Sequence, residues 1–374
     1  MTKRVVIYTM SCGDGHNMIS NTLKKTFEKY HGDECEVKVV DYYKDYWSPF
    51  RSFICDQFFR FTMEHAHWFY HIMYGMYRKD NLPKSNPLGI RYVQMGKYKK
   101  ILGTIEDFKP DLIIGSHIFT TMALTDLKNQ GKVDIPFYCI ITDYTVYPLV
   151  EYSLGVEKII TPSDKLTDEL IQKGYRDDQI ACLGFPVRMN RPEERPNSGR
   201  KNLSLLIMAG PGRIKSIDKD IKDLLIADLD IHVVVLNGKD EKHRRKVDRI
   251  IAGLRHERTV IENLGFVDDA AYESILNECD IIVSKCGANT LSEAVMMGKI
   301  IITSPDLVGQ ELDNLSYFSE RVPIFLIDEK KGIAGILREN TFDQDYLDEY
   351  WSLTDGMIPS DGYKRYVDLF YGSE

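Results

Sequence analysis

Val283-Ser-Lys-Cys-Gly-Ala-Asn-Thr-Leu-Ser-Glu-Ala294, followed by Ser304-Pro-Asp-Leu-Val-Gly-Gln-Glu-Leu-Asp-Asn314, is the stretch on which the reading of this chain turns. Each piece begins where an apolar run, residues 280–284 or 300–303, gives way to a glycine and then to a helix-forming segment. That order predicts a buried strand, a loop and a helix, and then the same again. Polar groups gather where the strands end, which is the edge at which open α/β sheets bind their ligands. Helix N-termini at such an edge offer unpaired backbone N–H groups to phosphate.

The alternation extends outward on both sides. Apolar runs at residues 5–10, 37–40, 112–115, 137–142 and 158–161 are separated by helical patterns at 17–30, 92–108 and 164–173. A polar, proline-bearing segment at 191–200 reads as a linker. The pattern then restarts at 203–209, 232–236, 259–263 and, beyond the quoted stretch, 323–327. Strands alternating with helices predict a parallel sheet covered on both faces. Two such series in 374 residues exceed one comfortable core. They predict an α/β protein of two Rossmann-like domains facing across a cleft. Residues 1–190, completed by a C-terminal helix at about 350–374, form the first, and residues 191–349 the second.

Composition narrows the function. A net charge of −8 argues against a nucleic-acid partner, which calls for clustered positive charge. The seven cysteines are scattered, odd in number and without a C-x-x-C pair, against a disulfide framework or zinc ribbon. No uncharged run has the length of a signal peptide or membrane span, so the expectation is a cytoplasmic protein with at most peripheral membrane contact. One region departs from the alternation: between Tyr42 and Tyr77 aromatics crowd together, with basic residues among and after them as far as Lys100. They are either core-facing helices or an apolar and basic surface for a lipid and an anionic bilayer.

Candidate site residues follow from the strand ends. In Ser11-Cys-Gly-Asp-Gly-His-Asn17, Gly13 and Gly15 allow a tight loop and His16 opens a helix. A third glycine is missing, with Met18 at its place, so the loop is a weak dinucleotide fingerprint and argues against an NAD-dependent enzyme. His16 is either a capping residue or a base for an attacking hydroxyl, since an unperturbed imidazole titrates near neutrality. Asp143 ends another run and is a base, an orienter of His16 or a turn cap; Ser116 and His117 are weaker candidates. In the second half Gly210, Gly212 and Arg213 suit a pyrophosphate or a plain turn. The backbone of Phe266 and Val267 suits a base edge. Thr290 and Glu293 read first as a capping box, with ribose binding by the carboxylate as the alternative. Asp218-Lys-Asp220 and Asp228-Leu-Asp230 have a metal-ligand spacing but read as solvated surface, so no metal site is expected.

These motifs, in this order, resemble the GT28-type GT-B glycosyltransferases, in particular the processive diacylglycerol glucosyltransferases and monogalactosyldiacylglycerol synthases. The resemblance rests on Gly13-Asp-Gly-His16, Thr142-Asp143, Leu183-Gly-Phe-Pro-Val187, Gly265-Phe-Val-Asp268, Ser284–Glu293 and Gly309–Asn314, and spans nearly the whole chain. The chain departs from it in Lys285-Cys-Gly-Ala288, where the family has Lys-Pro-Gly-Gly, and at Tyr147 and Val150, where the family has histidine and tryptophan. The resemblance implies an inverting hexosyltransferase that uses UDP-glucose or UDP-galactose, needs no metal for the chemistry, and works on diacylglycerol or a related glycolipid at the inner face of the cell membrane. It implies His16 as base with Asp143 in support, and Gly13, Gly15 and Tyr147 on the acceptor side. Lys285, Gly287, Thr290 and the Gly210–Gly212 loop would meet phosphates, Glu293 the ribose, Phe266 and Val267 the uracil, and Gln310 and Glu311 sugar hydroxyls, with Asn314 supporting their loop. A UDP-sugar epimerase and a non-catalytic UDP-sugar sensor are the alternatives.

Overall fold

The computed structural model describes residues 2–11, 15–48, 98–196, 198–210, 214–307, 309–328 and 330–371. Within the chain lie two compact units, one formed by Met1–Arg188 with Asp361–Glu374 and the other by Met189–Ser360.

The first unit runs β1 (Lys3–Thr9), α1 (Gly15–His31), β2 (Cys35–Asp41), α2 (Tyr98–Phe108), β3 (Leu112–Gly115), α3 (Ile118–Asn129), β4 (Phe137–Ile140), β5 (Lys158–Thr161), α4 (Thr167–Gln172) and β6 (Ile180–Cys182). The strands pair in parallel in the order β2-β1-β3-β4-β5-β6, with Ile7 opposite Val39 on one side and Ile114 on the other. Val5, Val6 and Ile7 of the central strand are wholly buried, as both faces of a helix-covered sheet require. α1 packs through Ile19, Leu23 and Phe27, one helical face at four-residue spacing. The chain leaves β1 toward β2 and returns to β3 on its other side, so the crossover direction reverses between β1 and β3.

The second unit repeats the plan: β7 (Leu203–Met208), α5 (Ile217–Ala227), β8 (Ile231–Leu236), α6 (Glu241–Ala252), β9 (Val260–Leu264), α7 (Asp269–Glu278), β10 (Ile281–Val283), α8 (Ala288–Met296), β11 (Ile300–Thr303), α9 (Gln310–Ser319), β12 (Ile324–Leu326), α10 (Gly332–Glu339) and α11 (Gln344–Leu353). The parallel order is β12-β11-β10-β7-β8-β9, and its reversal falls between β7 and β10. Ile281, Val283, Ile300, Ile301 and Ile302 are fully buried, whereas Val260 of the edge strand β9 is exposed.

Two details of organisation differ from the sequence reading. Residues 191–196 are a strap bound into the second unit, not a free linker. The Arg191 guanidinium stacks on Trp351 at 3.8 Å and donates to the Met296 carbonyl at 2.8 Å. Arg195 is nearly buried and pairs with Asp348 at 2.6 Å. Those same contacts keep α11 in the second unit, so the chain crosses back at residue 361 rather than near 350. Only the last helix, α12 (Gly362–Tyr371), joins the first unit. There Phe370 meets Phe27 edge-on with centroids 6.0 Å apart, and the Tyr366 hydroxyl donates to the Gly184 carbonyl at 2.9 Å. A side chain at Gly362 would come within 2.9 Å of the Pro186 backbone, so close contact at the start of α12 demands glycine.

Candidate active site

His16 stands in the first turn of α1, just after β1, and Ser116 follows β3, so the contact between them spans the point where the first sheet reverses. His16 Nδ1 lies 2.7 Å from the Ser116 carbonyl oxygen. A carbonyl only accepts, so Nδ1 carries the proton and Nε2 holds the lone pair. The same N–H is 3.1 Å from Thr142 Oγ1. From there a directed row continues: Thr142 Oγ1 to the Tyr147 hydroxyl at 2.6 Å, and the Tyr147 hydroxyl to Asp143 Oδ2 at 2.9 Å. The Thr142 backbone N–H also donates to the Tyr147 hydroxyl, at 3.0 Å. Asp143 thus reaches His16 through two hydroxyls and not directly. Beyond Tyr147 the chain turns through Leu149, held at φ 72° in the left-handed region that favours glycine.

Burial pushes the His16 pKa below the ordinary histidine value, partly opposed by its bond to the Ser116 carbonyl. Burial, and secondarily the Asp143 carboxylate, holds the Tyr147 phenol protonated well above its usual range. His117 meets the His16 ring edge-on with centroids 4.7 Å apart. Its Nδ1 accepts from Phe119 N as the N-cap of α3, and burial and then the charge of a protonated His16 push its pKa well down. Asn17 braces the loop through Thr9 at 3.1 Å and Ser11 at 2.8 Å. Gly15 begins α1, whereas Gly13 lies outside the described residues. The arrangement provides a neutral imidazole whose Nε2 can take a proton, with Thr142, Tyr147 and Asp143 aligned to stabilise the cation that results.

In the second unit the predicted residues cluster on the carboxyl ends of β7 to β11. Gly210 follows β7, and Lys285 and Gly287 follow β10, so these loops flank the reversal of the second sheet. Gly212 and Arg213 lie outside the described residues. A Cβ on Gly210 would stand 3.3 Å from the Asn237 carbonyl oxygen, so this glycine serves a close approach between two loops. A Cβ on Gly287 would meet nothing within 4 Å. Phe266 is 69% exposed, with Lys239 Nζ 5.3 Å from its ring centroid, and Val267 beside it is half-buried. Gly309 adopts φ 56°, ψ −127°, open in practice only to glycine, and it launches α9 at Gln310 and Glu311. Asn314 is fully buried, and its Nδ2 donates to the Cys286 carbonyl at 3.1 Å, tying α9 to the loop after β10. Cys286 is buried against Thr303, and burial raises its thiol pKa to about 12.

Two sequence readings are corrected here. Thr290 and Glu293 do not form a capping box. Gly287 is the N-cap of α8, so Thr290 already lies inside the first turn and Glu293 in the second. Glu293 is 2% exposed, and its Oε2 accepts from the Tyr272 hydroxyl at 3.0 Å. Asp218 and Asp220 are not solvated surface. Asp218 accepts from His243 at 2.7 Å and pairs with Lys246 at 2.5 Å. Asp220 is buried and accepts from Ile333 N at the start of α10, at 3.2 Å. Asp228 and Asp230 do lie at the surface, where Asp228 accepts from Glu257 N and Arg258 N. Among the described residues no group of three or more His, Cys, Asp or Glu is placed to hold a metal ion.

Two parallel six-stranded sheets, each with its polar residues at the carboxyl edge around the reversal of strand order, make up the GT-B fold. MurG of Acinetobacter baumannii shares the fold, with a TM-score of 0.65 at 12% identity over 100% of both chains. Residues 16–187 match the monogalactosyldiacylglycerol synthase family. The chain is 24% identical over 353 residues to the processive diacylglycerol beta-glucosyltransferase of Bacillus subtilis, covering 92% of this chain and 88% of that one. It is 26% identical over 343 residues to the chloroplastic monogalactosyldiacylglycerol synthase of Spinacia oleracea, covering 85% and 62%. The resemblance read from the motifs therefore holds across the chain.

Proposed function

We propose that this protein is an inverting glycosyltransferase that moves a hexose from a UDP-sugar to the hydroxyl of diacylglycerol or a related glycolipid, working as a peripheral protein at the inner face of the membrane. The observation that carries this reading is His16, a neutral base at the reversal of the first sheet. Its Nδ1–H is pinned to the Ser116 carbonyl and backed by the row ending at Asp143. A single positioned base is what a one-step displacement needs. The acceptor oxygen bonds to the anomeric carbon, its proton passes to His16 Nε2, the bond from the anomeric carbon to the phosphate oxygen breaks, and UDP leaves with the electron pair. Attack from the face opposite the leaving group inverts the anomeric centre.

In this reading the second unit holds the donor. Gly210, Gly287, Lys285 and Thr290 meet the diphosphate, where the α8 N-terminus favours negative charge. Gly212 and Arg213 share that role. Phe266 and Val267 read the uracil by backbone, Glu293 the ribose, and Gln310 and Glu311 the sugar hydroxyls, with Asn314 fixing their loop. No metal is needed for the chemistry. Supporting this, Asp218 is already engaged by His243 and Lys246, and one oxygen of Asp220 by Ile333 N. The lipid acceptor is supported by the names of the relatives, which are transferases to diacylglycerol.

The test is to incubate the protein with labelled UDP-glucose or UDP-galactose and vesicles containing diacylglycerol, with and without EDTA, and to analyse the lipid extract. A β-linked hexosyl lipid formed from the α-linked donor in the presence of EDTA is the expected result. Conversion of the UDP-sugar without acceptor would make the protein an epimerase. UDP binding without turnover on any lipid would make it a sensor.

A further inference from the structure

His243 lies outside every role assigned above. It stands in the first turn of α6, where its backbone N–H donates to Asp240 at 3.0 Å, and the residue is 2% exposed. Its ring is gripped at both nitrogens. Nε2 is 2.7 Å from Asp218 Oδ1, and Nδ1 is 2.6 Å from Asn237 Oδ1. The Asn237 amide cannot be turned the other way, because its Nδ2 donates to the Leu264 carbonyl at 2.9 Å and to Asn263 Oδ1 at 2.7 Å. Asn263 is fixed in turn, its Nδ2 donating to the Arg244 carbonyl at 2.9 Å and to Asp248 at 2.7 Å. Two acceptors therefore face the ring, and both of its nitrogens donate. Lys246, 2.5 Å from Asp218 Oδ2, closes the row.

This row ties together loops that lie apart in sequence. Asp218 is in the first turn of α5, the helix entered from the loop after Gly210. Asn237 is the first residue beyond β8, fully buried, and its carbonyl is the atom against which Gly210 packs. Leu264 ends β9 and leads directly into Gly265, Phe266 and Val267. One side chain thus braces the carboxyl-edge loops of three adjacent strands.

We propose that His243 is a positioning residue for the nucleoside diphosphate donor. Its ring fixes the spacing between the loop after β7, which meets the phosphates, and the loop after β9, which meets the base. The proposal rests on the donor reading of the second unit given above. Because two acceptors face the ring at once, a side chain with a single donor group leaves one of them without the donor that His243 supplies.

The experiment uses the full-length chain carrying His243→Gln, His243→Leu, or His243→Leu with Asp218→Leu. UDP is titrated calorimetrically in the absence of sugar and acceptor, and donor KM, kcat and melting temperature are measured alongside. His243→Gln should bind UDP about tenfold more weakly, the effect of one lost charged hydrogen bond, and His243→Leu, which loses both, more weakly still. Donor KM should rise in step while kcat at saturating donor is retained. The double variant should bind no more weakly than His243→Leu, as for groups acting as a unit. Parent-like UDP affinity in variants with lowered melting temperature would overturn the proposal, leaving the row a purely structural brace. A parent that binds no UDP would overturn the donor reading along with it, a result distinct from that one.

Discussion

Burial of His16 reinforces the neutral form that an imidazole already favours above about pH 6.5. Burial disfavours the charged form, so the acid limb of the kcat–pH profile should fall below the ordinary histidine value of about 6.5. An inflection above that value, in turnover measured across pH, would assign the titration to another group. The same shift has a consequence for folding. His16 and His117 both have lowered pKa values, so between those values and about 6.5 the native state binds fewer protons than the unfolded chain. Their stabilisation is complete above that range and is lost as pH falls through the lowered values. Melting temperature should therefore drop below about pH 6.5, and less steeply in His117→Asn, a variant in which one of the two titrations is gone. For turnover, His16→Ala should lose about 10²–10⁴-fold in kcat while calorimetry shows parent-like UDP binding. Thr142→Val, which breaks the row behind the base, should show a smaller loss of the same kind. The position of His16 was legible in the sequence, since a histidine after a glycine loop at a strand end is placed by local pattern alone. The route from Asp143 was not. It depends on the path of residues 143–147, which returns the Tyr147 hydroxyl to Thr142 and Asp143 and which no sequence period announces.

Helix and loop boundaries decide what several residues can do. α8 begins at Ala288, one turn before the Thr-x-x-Glu pattern suggested, and so Glu293 faces Tyr272 in place of its own N-terminus. The pattern misleads because capping spacing is also one turn of helix, and the same four residues fit inside a helix as well as at its start. The carboxylates at 218 and 220 misled for a different reason. Their partners His243 and Ile333 are brought in by strand order, which local charge spacing does not encode. The alternation of strands and helices was readable because the central strands carry apolar runs, such as Val5–Ile7, Ile281–Val283 and Ile300–Ile302. β6, three residues at a sheet edge and only half-buried, carried no such signal. Two glycines at loop ends now separate folding from binding. Gly309→Ala forces a side chain into φ 56°, ψ −127° and should cost about 1–3 kcal/mol, read as a lowered denaturation midpoint. Gly287→Ala meets no protein atom and sits at an ordinary φ of −68°, so its midpoint should stay near that of the parent. If phosphate approaches that backbone, the added methyl should weaken UDP binding all the same. Unchanged affinity would move the diphosphate away from the α8 N-terminus.

At the scale of the molecule, the proposed acceptor is insoluble in water, and the protein must meet it at a bilayer. Among the described residues no helix is long and apolar enough to cross a membrane. Most of the aromatic and basic stretch expected to dock, residues 49–97, lies outside the described residues. Docking by aromatics and cations together predicts sedimentation with anionic vesicles that weakens as salt is raised, each basic residue near the surface adding about 1 kcal/mol. Equal sedimentation with neutral and anionic vesicles at all salt concentrations would remove the electrostatic part. The return of α12 to the first unit bears on something else, the order in which the protein can come into being on the ribosome. The first unit is interrupted in sequence by all of the second. Phe27 and Gly184 are therefore synthesised long before Phe370 and Tyr366, their partners on α12, and the nascent unit must wait with that face uncovered while residues 189–360 are made. During that interval the chain exposes apolar surface of the kind chaperones hold and aggregates form from, and its last helix acts as a latch that closes the domain begun first.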